Sequence, residues 1–378
     1  MSVGKLMLSL CGANVSFSTL CNRLFRRVPH VLLALHLIVL APISSAQSLP
    51  EAETAFLDAI VTKHNLNRET VLQLLNQAEK DQAVIDAIKR PWEAKPWHLY
   101  YPIFLTEKRL QKGLEFYQAH GETLARAEKE YGVPAEMIVA ILGIESFYGT
   151  YKGSYAALNA LYTLGFHYPP RSSFFKKELA QLILLANEEE FDAKQLQSSY
   201  AGAMGWGQFI PSSYRHYAVD FDNDGVRDLL NNPVDAIGSI ANYFKRNGWQ
   251  RGDSIAFPVN VTPENAKPWL RKSLKYRETF AQLQQADISL DVETAKRVGV
   301  EKAQDKWDGI AADSDAKLLD FAQASGHDYW LGLKNFYVIT RYNHSKLYAM
   351  VAFQFSRQLA SGINSLDKDA QLSPQDDA

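Results

Sequence analysis

Glu145 stands at a position where the surrounding pattern predicts an apolar side chain. The segment 133–149 reads as a helix, and at about 100° per residue Ile138, Ile141 and Leu142 fall on one apolar stripe. Glu145 comes four residues after Ile141 and three after Leu142, in the middle of that stripe. The sequence therefore predicts an ionisable acid on the buried face of this helix.

Burial at this position favours the protonated form of the acid. Desolvation raises the pKa of a carboxyl group, and the negative end of the helix dipole raises it further. A carboxylic acid that keeps its proton near neutral pH can give it to a leaving group, so Glu145 is a candidate general acid. The segment alone also allows a structural Glu that is paired with an Arg or hydrogen-bonded to the backbone.

A glycine-rich segment at 201–214 is the second candidate. Gly202, Gly205 and Gly207 fall within six residues and allow the backbone to approach another backbone or a ligand closely. Gln208 follows, and its side-chain amide can both donate to and accept from sugar hydroxyls. The spacing alone fits a tight turn equally well.

An acidic loop is the third candidate. Alternating aspartates followed by Gly225 match positions 1, 3, 5 and 6 of the EF-hand calcium loop. The Glu expected at position 12 is replaced by Asn231, which predicts a weak, structural Ca²⁺ site rather than a sensor. A solvated acidic turn is the alternative. The predicted ligands are Asp220, Asp222, Asp224, Val226, Asp228 and Asp235.

Composition limits the class of protein. The chain has 378 residues, 47% of them apolar, which fits a globular protein of two or three domains and excludes a disordered one. Its 40 basic and 42 acidic residues give a net charge of −2, with no sign of the basic surface that a nucleic-acid partner requires. No motif predicts an organic cofactor.

The N-terminus is typical of a secretory leader. No acid precedes Glu51, basic residues precede an apolar run at 31–42, and a small-x-Ala end follows at Ala46. We therefore expect a signal peptide at 1–46, with an uncleaved membrane anchor as the alternative. Both cysteines lie inside this leader and none follows the apolar run, so a lipid anchor is not expected. The predicted product is a soluble periplasmic protein, expected to act as a monomer.

The pattern along the mature chain is mainly helical, with one stretch that mixes charged residues and short β-like segments. That stretch is predicted to be a small α+β insert. The predicted order is an N-terminal helical region (47–121), a catalytic core (122–250) containing the acidic loop (220–235), the insert (251–335), a C-terminal helix that returns to the core (336–362) and a polar tail (363–378).

Six sequence blocks, in order, resemble the lytic murein transglycosylase B family, soluble or membrane-bound. The blocks are AILGIESFYG, LNALYTLGFHYPPR, AGAMGWGQFIPSSY, VDFDNDG, DAIGSIANYF and FYVITRYNHSKLYAM. The resemblance implies a mainly α protein with a lysozyme-like helical catalytic core, an N-terminal helical region and a small α+β insert. Its implied partner is the glycan strand of peptidoglycan.

The resemblance also implies a reaction and a set of contacts. The β-1,4 bond between N-acetylmuramic acid and N-acetylglucosamine would be cleaved with formation of a 1,6-anhydro ring. Glu145 would protonate the leaving oxygen and then take the proton from the C6 hydroxyl. Ordinary glycosidases need a second carboxylate, for which an internal hydroxyl held in place substitutes. The implied sugar contacts are Tyr100, Arg171, Ser199, Gln208, Phe209, Tyr243, Tyr342, Asn343 and Tyr348.

Two other functions fit the same residues. A hydrolytic muramidase would use water as the acceptor on the same fold. A calcium-stabilised protein that binds peptidoglycan without cleaving it belongs to a different class, and the acid at Glu145 argues against it. The family often has two arginines after Tyr-Pro, whereas this chain has only Arg171 after two prolines.

Overall fold

The computed structural model describes residues 49–90, 95–300 and 303–372. The predicted signal peptide, 1–46, lies outside these ranges. The part of the chain that is described is mainly helical, as predicted. None of its helices is both long and apolar enough to cross a membrane.

Short helices form the N-terminal region. Two of these helices have a side-chain N-cap. Asn67 accepts a hydrogen bond from the Thr70 amide, and Thr106 accepts one from the Arg109 amide. The helices are α1 (Glu51–His64), α2 (Arg68–Gln77), α3 (Gln82–Ile88), α4 (Trp97–Tyr100), α5 (Glu107–Ala119) and α6 (Gly121–Tyr131).

The next part of the chain forms the helical core, and a two-stranded antiparallel ribbon lies beside it. In the ribbon Tyr155 pairs with Ser198. The elements are α7 (Ala135–Ser146), β1 (Tyr155–Ala156), α8 (Ala157–His167), α9 (Ser172–Glu188), β2 (Gln197–Ser198), α10 (Pro211–Tyr217) and α11 (Pro233–Arg246).

A small α+β domain follows, as predicted. Its five strands are antiparallel in the order β4-β6-β7-β3-β5, and it has its own apolar core that includes Phe257, Leu318 and Leu331. The elements are β3 (Ala256–Asn260), α12 (Pro263–Ala266), β4 (Glu278–Thr279), α13 (Phe280–Leu283), β5 (Ser289–Leu290), α14 (Val292–Arg297), α15 (Ala303–Asp308), β6 (Asp315–Ala322) and β7 (His327–Gly332).

The chain then returns to the core as two helices, α16 (Lys334–Tyr342) and α17 (Lys346–Leu372). The single helix predicted over 336–362 is therefore wrong in two respects. A break separates α16 from α17, and α17 continues to Leu372 into the predicted polar tail. The extension has a physical reason, since Ile363 is still buried and polar helix formers continue the exposed face.

Helix α7 lies at the centre of the core. Helices α5 and α17 pack against it, and every residue from Met137 to Gly143 is buried. The prediction of a single apolar stripe is wrong here, because neighbouring helices cover most sides of α7. The helix also ends at Ser146, before the predicted stop at Gly149, because Phe147 already adopts a left-handed conformation (φ 49°).

Candidate active site

Glu145 is the penultimate residue of α7, where the buried helix reaches the protein surface. Its side chain is partly exposed, and its Oε1 accepts a hydrogen bond of 2.6 Å from the hydroxyl of Tyr348 on α17. Burial raises the pKa of Glu145 to about 7, against the smaller opposing effect of the Tyr348 hydrogen bond. The raised pKa favours the protonated acid close to neutral pH, where such a group can both give and take a proton.

Aromatic rings from three helices and the glycine-rich segment stand beside Glu145. The rings of Tyr348 and Tyr342 are stacked, with centroids 6.4 Å apart. Tyr342 also lies 4.8 Å from Tyr243 and 5.7 Å from Phe209. Burial raises the pKa of Tyr342 and of Tyr348 well above the ordinary value, so both phenols stay neutral and act as hydrogen-bond donors.

Hydrogen bonds from the phenols fix this aromatic wall. The Tyr342 hydroxyl donates to the Gly207 carbonyl (2.6 Å), and the Tyr243 hydroxyl donates to the Arg341 carbonyl (2.5 Å). Tyr100 is buried, with its ring 5.2 Å from Phe104. Orientation by buried hydrogen bonds holds the ring faces rigid, which suits the binding of a substrate by its flat surfaces.

A sharp turn joins α7 to the glycine-rich segment. The Ser146 hydroxyl donates to the Trp206 carbonyl (2.7 Å) and accepts from the Gly149 amide (3.0 Å). A Cβ on Gly149 would lie 2.7 Å from the Trp206 ring, so only glycine allows this close packing. The turn thereby fixes the end of α7, and with it Glu145, against the segment predicted to contact sugar.

The glycine-rich segment is held by its own backbone contacts. A Cβ on Gly205, where φ is +70°, would lie 2.1 Å from the Leu229 carbonyl oxygen. Gln208 has a left-handed backbone (φ 48°), and its Nε2 donates to the carbonyls of Gly205 (2.9 Å) and Lys152 (3.2 Å). These bonds fix the orientation of the side-chain amide. The same bonds would also stabilise a tight turn, so a sugar contact at Gln208 stays a prediction.

Ser199 organises the start of the same segment. Its hydroxyl oxygen accepts hydrogen bonds from the amides of Ala203 (3.1 Å) and Ala201 (3.3 Å). Ser199 is partly exposed. Its oxygen therefore shapes the loop, and the hydroxyl hydrogen is the group that it can offer to a ligand.

Five of the predicted contacts line one cleft of about 780 Å³. Glu145 and Tyr348 do not line this cleft. Tyr342 does line it, and its ring stacks on that of Tyr348. The predicted residues in the lining are Arg171, Gln208, Phe209, Tyr243 and Tyr342.

Asn343 lines an adjacent cavity of about 550 Å³, at the junction of the α+β domain and α17. His344 belongs to the lining of both cavities, so the two form neighbouring parts of one surface. A third cavity of about 760 Å³, on the α+β domain, contains none of the predicted site residues.

Several basic side chains of the cleft were not predicted. Arg215, His216, Arg341 and His344 join Arg171 in the lining. Burial lowers the pKa of His344, so the permanent positive charge is that of the three arginines, of which Arg215 is paired with Glu188. Arg341 and His344 stand in the TRYNHS block, where their exposure could not be judged before α16 was known to end at Tyr342. The positive lining suits a ligand that carries carboxylates.

The acidic loop brings three of the predicted ligands together. Carboxylate oxygens of Asp220, Asp222 and Asp235 lie within 4.8 Å of one another. Asp224 instead accepts a hydrogen bond from the Val226 amide (2.9 Å), and neither residue belongs to the cluster. Three carboxylates at this separation are the hard oxygen donors that Ca²⁺ prefers, so the residues fit the predicted ion.

Asp228 has a local role in the same loop. Its Oδ1 accepts from the amides of Leu230 (2.8 Å) and Asn231 (3.0 Å), and it lies outside the cluster of three. The carbonyl of Leu230 in turn accepts from Lys152 Nζ (2.6 Å). The acidic loop is thus attached to the turn that follows Glu145.

A raised-pKa acid beside a tyrosine-lined cleft is an arrangement that suits general acid catalysis on a glycosidic bond. The family described as Transglycosylase SLT domain matches residues 50–357, so this chain belongs to that family. A curated relative, membrane-bound lytic murein transglycosylase B of Escherichia coli (strain K12), is 39% identical over 315 residues, 81% of each chain. The chain is therefore an enzyme of the lytic murein transglycosylase class.

Solved structures support the same assignment. Soluble lytic transglycosylase SltB1 from Pseudomonas aeruginosa is 40% identical, with a TM-score of 0.74 over 82% of this chain and 98% of that one. The Escherichia coli lytic transglycosylase Slt35 in complex with calcium is 38% identical, with a TM-score of 0.70 over 82% of this chain and 92% of that one. The lysozyme-like fold predicted from the sequence is confirmed.

Proposed function

We propose that the enzyme cleaves the β-1,4 bond between N-acetylmuramic acid and N-acetylglucosamine and closes a 1,6-anhydro ring, with Glu145 as the single acid and base. The observation that carries the proposal is the environment of Glu145. Its pKa, about 7, is explained by burial and one tyrosine hydrogen bond, with no charged neighbour among the causes. A group poised at this value can transfer a proton in both directions near neutral pH.

The proposed reaction balances without water. Protonated Glu145 gives its proton to the glycosidic oxygen as the C1–O4 bond breaks, and N-acetylglucosamine leaves with a free 4-hydroxyl. The Glu145 carboxylate then takes the proton of the muramic acid C6 hydroxyl while O6 forms a bond to C1. The acid is restored at the end of the cycle, so no second carboxylate is needed.

The hydroxyl that attacks is part of the substrate, and the enzyme's task is to position it. The stacked pair of Tyr342 and Tyr348 and the fixed amide of Gln208 provide rigid surfaces beside the acid. An intramolecular nucleophile held in line has a very high effective concentration, on the order of 10⁵ M or more, and this favours ring closure over attack by water.

Relatives support the proposed substrate. The structure of SltB3 from Pseudomonas aeruginosa, 27% identical with a TM-score of 0.67, was solved in complex with NAG-anhNAM-pentapeptide. The cationic lining around Arg171 suits the carboxylates that such a peptide carries.

Mass analysis of muropeptides released from purified sacculi tests the reaction. The expected products end in anhydro-muramic acid and are lighter by one water than hydrolytic products. Reducing muramic acid ends would identify a muramidase, and binding without release would identify a non-catalytic protein.

We also infer a structural Ca²⁺ ion held by Asp220, Asp222 and Asp235. The oxygen cluster and the calcium complex of Slt35 support this inference. The ion would stabilise the acidic loop, whose Leu229 carbonyl accepts from the Trp206 amide and whose Leu230 carbonyl accepts from Lys152 Nζ.

Finally, we propose that the enzyme works in the periplasm as a soluble monomer without a lipid anchor. The leader-like sequence at 1–46 supports export, and its substrate class lies outside the cytoplasmic membrane. Release by osmotic shock, with a mature N-terminus near Gln47, is the expected result. Activity confined to the membrane fraction, with residues 1–46 still attached, would contradict it.

A further inference from the structure

Tyr151 lies six residues beyond Glu145, and 68% of its surface is exposed. This is the largest exposed fraction among the large hydrophobic residues that the structure describes. A single exposed aromatic is ordinary in a soluble protein, so exposure alone assigns no role. The rigidity of the ring and its connection to the catalytic residues supply the argument.

The backbone under Tyr151 is tightly held. Its amide donates to the Ser146 carbonyl (2.8 Å), and the Thr150 amide donates to the Phe147 carbonyl (3.3 Å). Phe147 adopts a left-handed conformation, φ 49°, which is costly for a residue with a Cβ and persists where the surroundings enforce it. The rings of Phe147 and Tyr151 lie 6.0 Å apart, so the exposed ring rests on a second aromatic ring.

A row of side chains connects this pair to the helix that carries the acid. The guanidinium of Arg109 lies 5.4 Å from the ring of Phe147 and 5.4 Å from that of Phe104, and Phe104 packs on Tyr100. The Nε of Arg109 donates to the Gly143 carbonyl (3.0 Å), two residues before Glu145 in α7. The row therefore consists of Tyr100, Phe104, Arg109, Phe147 and Tyr151.

A second connection reaches the glycine-rich segment. The residue after Tyr151 is Lys152, and its carbonyl accepts the hydrogen bond from Gln208 Nε2 (3.2 Å). Tyr151 therefore lies on the loop between the turn that follows Glu145 and the carbonyl that holds a predicted sugar contact.

We propose that Tyr151, supported by Phe147, binds a sugar ring of the glycan strand outside the two sugars joined by the cleaved bond. The proposal rests on the proposed function, because it takes the peptidoglycan strand as substrate. A pyranose ring presents a face of C–H groups that packs on an aromatic face, as apolar edges do on aromatic rings in proteins. Lys108, whose Nζ lies 5.7 Å from the Phe147 ring, adds a positive charge that complements the anionic strand.

The test compares strands of different length in Tyr151 variants. On glycan strands of many repeats, stripped of their stem peptides, Tyr151→Ala should raise KM about tenfold with little change in kcat. On a fragment limited to the two sugars at the cleaved bond and their immediate neighbours, the same variant should match the wild type. Tyr151→Phe keeps the ring and should restore most of the affinity, whereas Tyr151→Leu should not.

Val292→Ala is the matched control, since it also removes an exposed apolar side chain, 40% exposed, but in the α+β domain. It should leave KM unchanged. Equal KM for Tyr151→Ala and the wild type on long strands would overturn the proposal, as would an effect seen only when stem peptides are present. Products of the wild type are analysed in the same assay, so a failure to form anhydro ends marks failure of the proposed function instead.

Discussion

Two regions of the molecule use carboxylates in opposite ways. Glu145 accepts one hydrogen bond from a tyrosine hydroxyl, and burial raises its pKa to about 7. In the acidic loop, Asp220 accepts hydrogen bonds from the amides of Asp224 (3.1 Å) and Gly225 (2.8 Å). A hydrogen bond from the Asn232 side chain lowers the pKa of Asp222. Glu145 is more buried than Asp222, which is exposed, so burial and hydrogen-bond donors together decide whether a carboxyl group keeps its proton.

At Asp235, burial and hydrogen bonding act on the pKa in opposite directions. Its two oxygens accept from the amides of Phe221 (2.6 Å) and Asp228 (2.8 Å), yet its pKa is raised to about 6. Burial is the largest cause, and the charges of Asp222 and Asp220 add to it. A divalent cation between the three would remove that cost, whereas at Glu145 the same cost is what makes the acid useful.

The largest expected effect is a loss of turnover when the carboxyl group of Glu145 is replaced by an amide. Glu145→Gln keeps the shape of the side chain and can still accept from Tyr348, but it cannot transfer a proton. Turnover on sacculi should fall by at least about 10²-fold, because one group serves both proton transfers. Glu136→Gln is the matched control, since Glu136 lies on the same helix and burial also raises its pKa, but it should leave turnover within about twofold. Retention of a tenth of the wild-type rate would remove Glu145 from the mechanism.

The second expected effect is a gain in stability. The folded protein holds the Glu145 proton up to about pH 7, whereas the unfolded chain releases it near 4.5. The wild type therefore loses stability as the pH rises from 4.5 to 7, by up to about 3 kcal/mol. Glu145→Gln should be more stable than the wild type at pH 8 and equal to it at pH 4, as measured by urea unfolding. Equal stability at both pH values would mean that Glu145 is well solvated.

The third effect concerns the acidic loop. Ca²⁺ at a hundredfold excess over its dissociation constant should add about 2.7 kcal/mol, a rise in Tm on the order of 5 °C. Asp222→Ala should lose that rise. Asp228→Asn should keep it, because its carboxylate is not in the cluster and the amide oxygen can still accept the backbone bonds. A rise that survives Asp222→Ala and disappears in Asp228→Asn would assign the ion to different ligands.

The smallest effect is a shift of the pH profile. The Tyr348 hydrogen bond favours the Glu145 carboxylate and lowers its pKa, so Tyr348→Phe should raise that pKa. The alkaline limb of kcat/KM, expected near pH 7 in the wild type, should move upward by about one unit or less. Movement to lower pH would show that Tyr348 acts on the acid in another way.

Local pattern predicted the helices and singled out Glu145, but it could not find what surrounds the acid. Its partner Tyr348 lies 203 residues away, and that contact exists only because α17 packs on α7. The same packing buries α7 on most sides, which a pattern that detects one stripe does not reveal. Strands β6 and β7 were missed, partly because Lys317, buried at 2% exposure, reads as a polar surface residue.

Spacing predicted the carboxylate cluster of the acidic loop only in part for a related reason. A loop motif specifies only the spacing of residues along the chain, whereas the folded structure determines which way each carboxylate points. Asp228 accepts two backbone amides that follow it, an arrangement that short Asp side chains favour in turns. Asp235 enters the cluster because α11 begins at Pro233 and places it beside Asp220.

The central claim is that its surroundings keep Glu145 protonated near neutral pH. Carbon NMR of protein labelled at the glutamate carboxyl groups measures this directly, with the signal assigned by its disappearance in Glu145→Gln. The titration of Glu145 should have a midpoint near pH 7, while exposed glutamates titrate near 4.3. A midpoint for Glu145 at the value of the exposed glutamates would contradict its role as the proton donor.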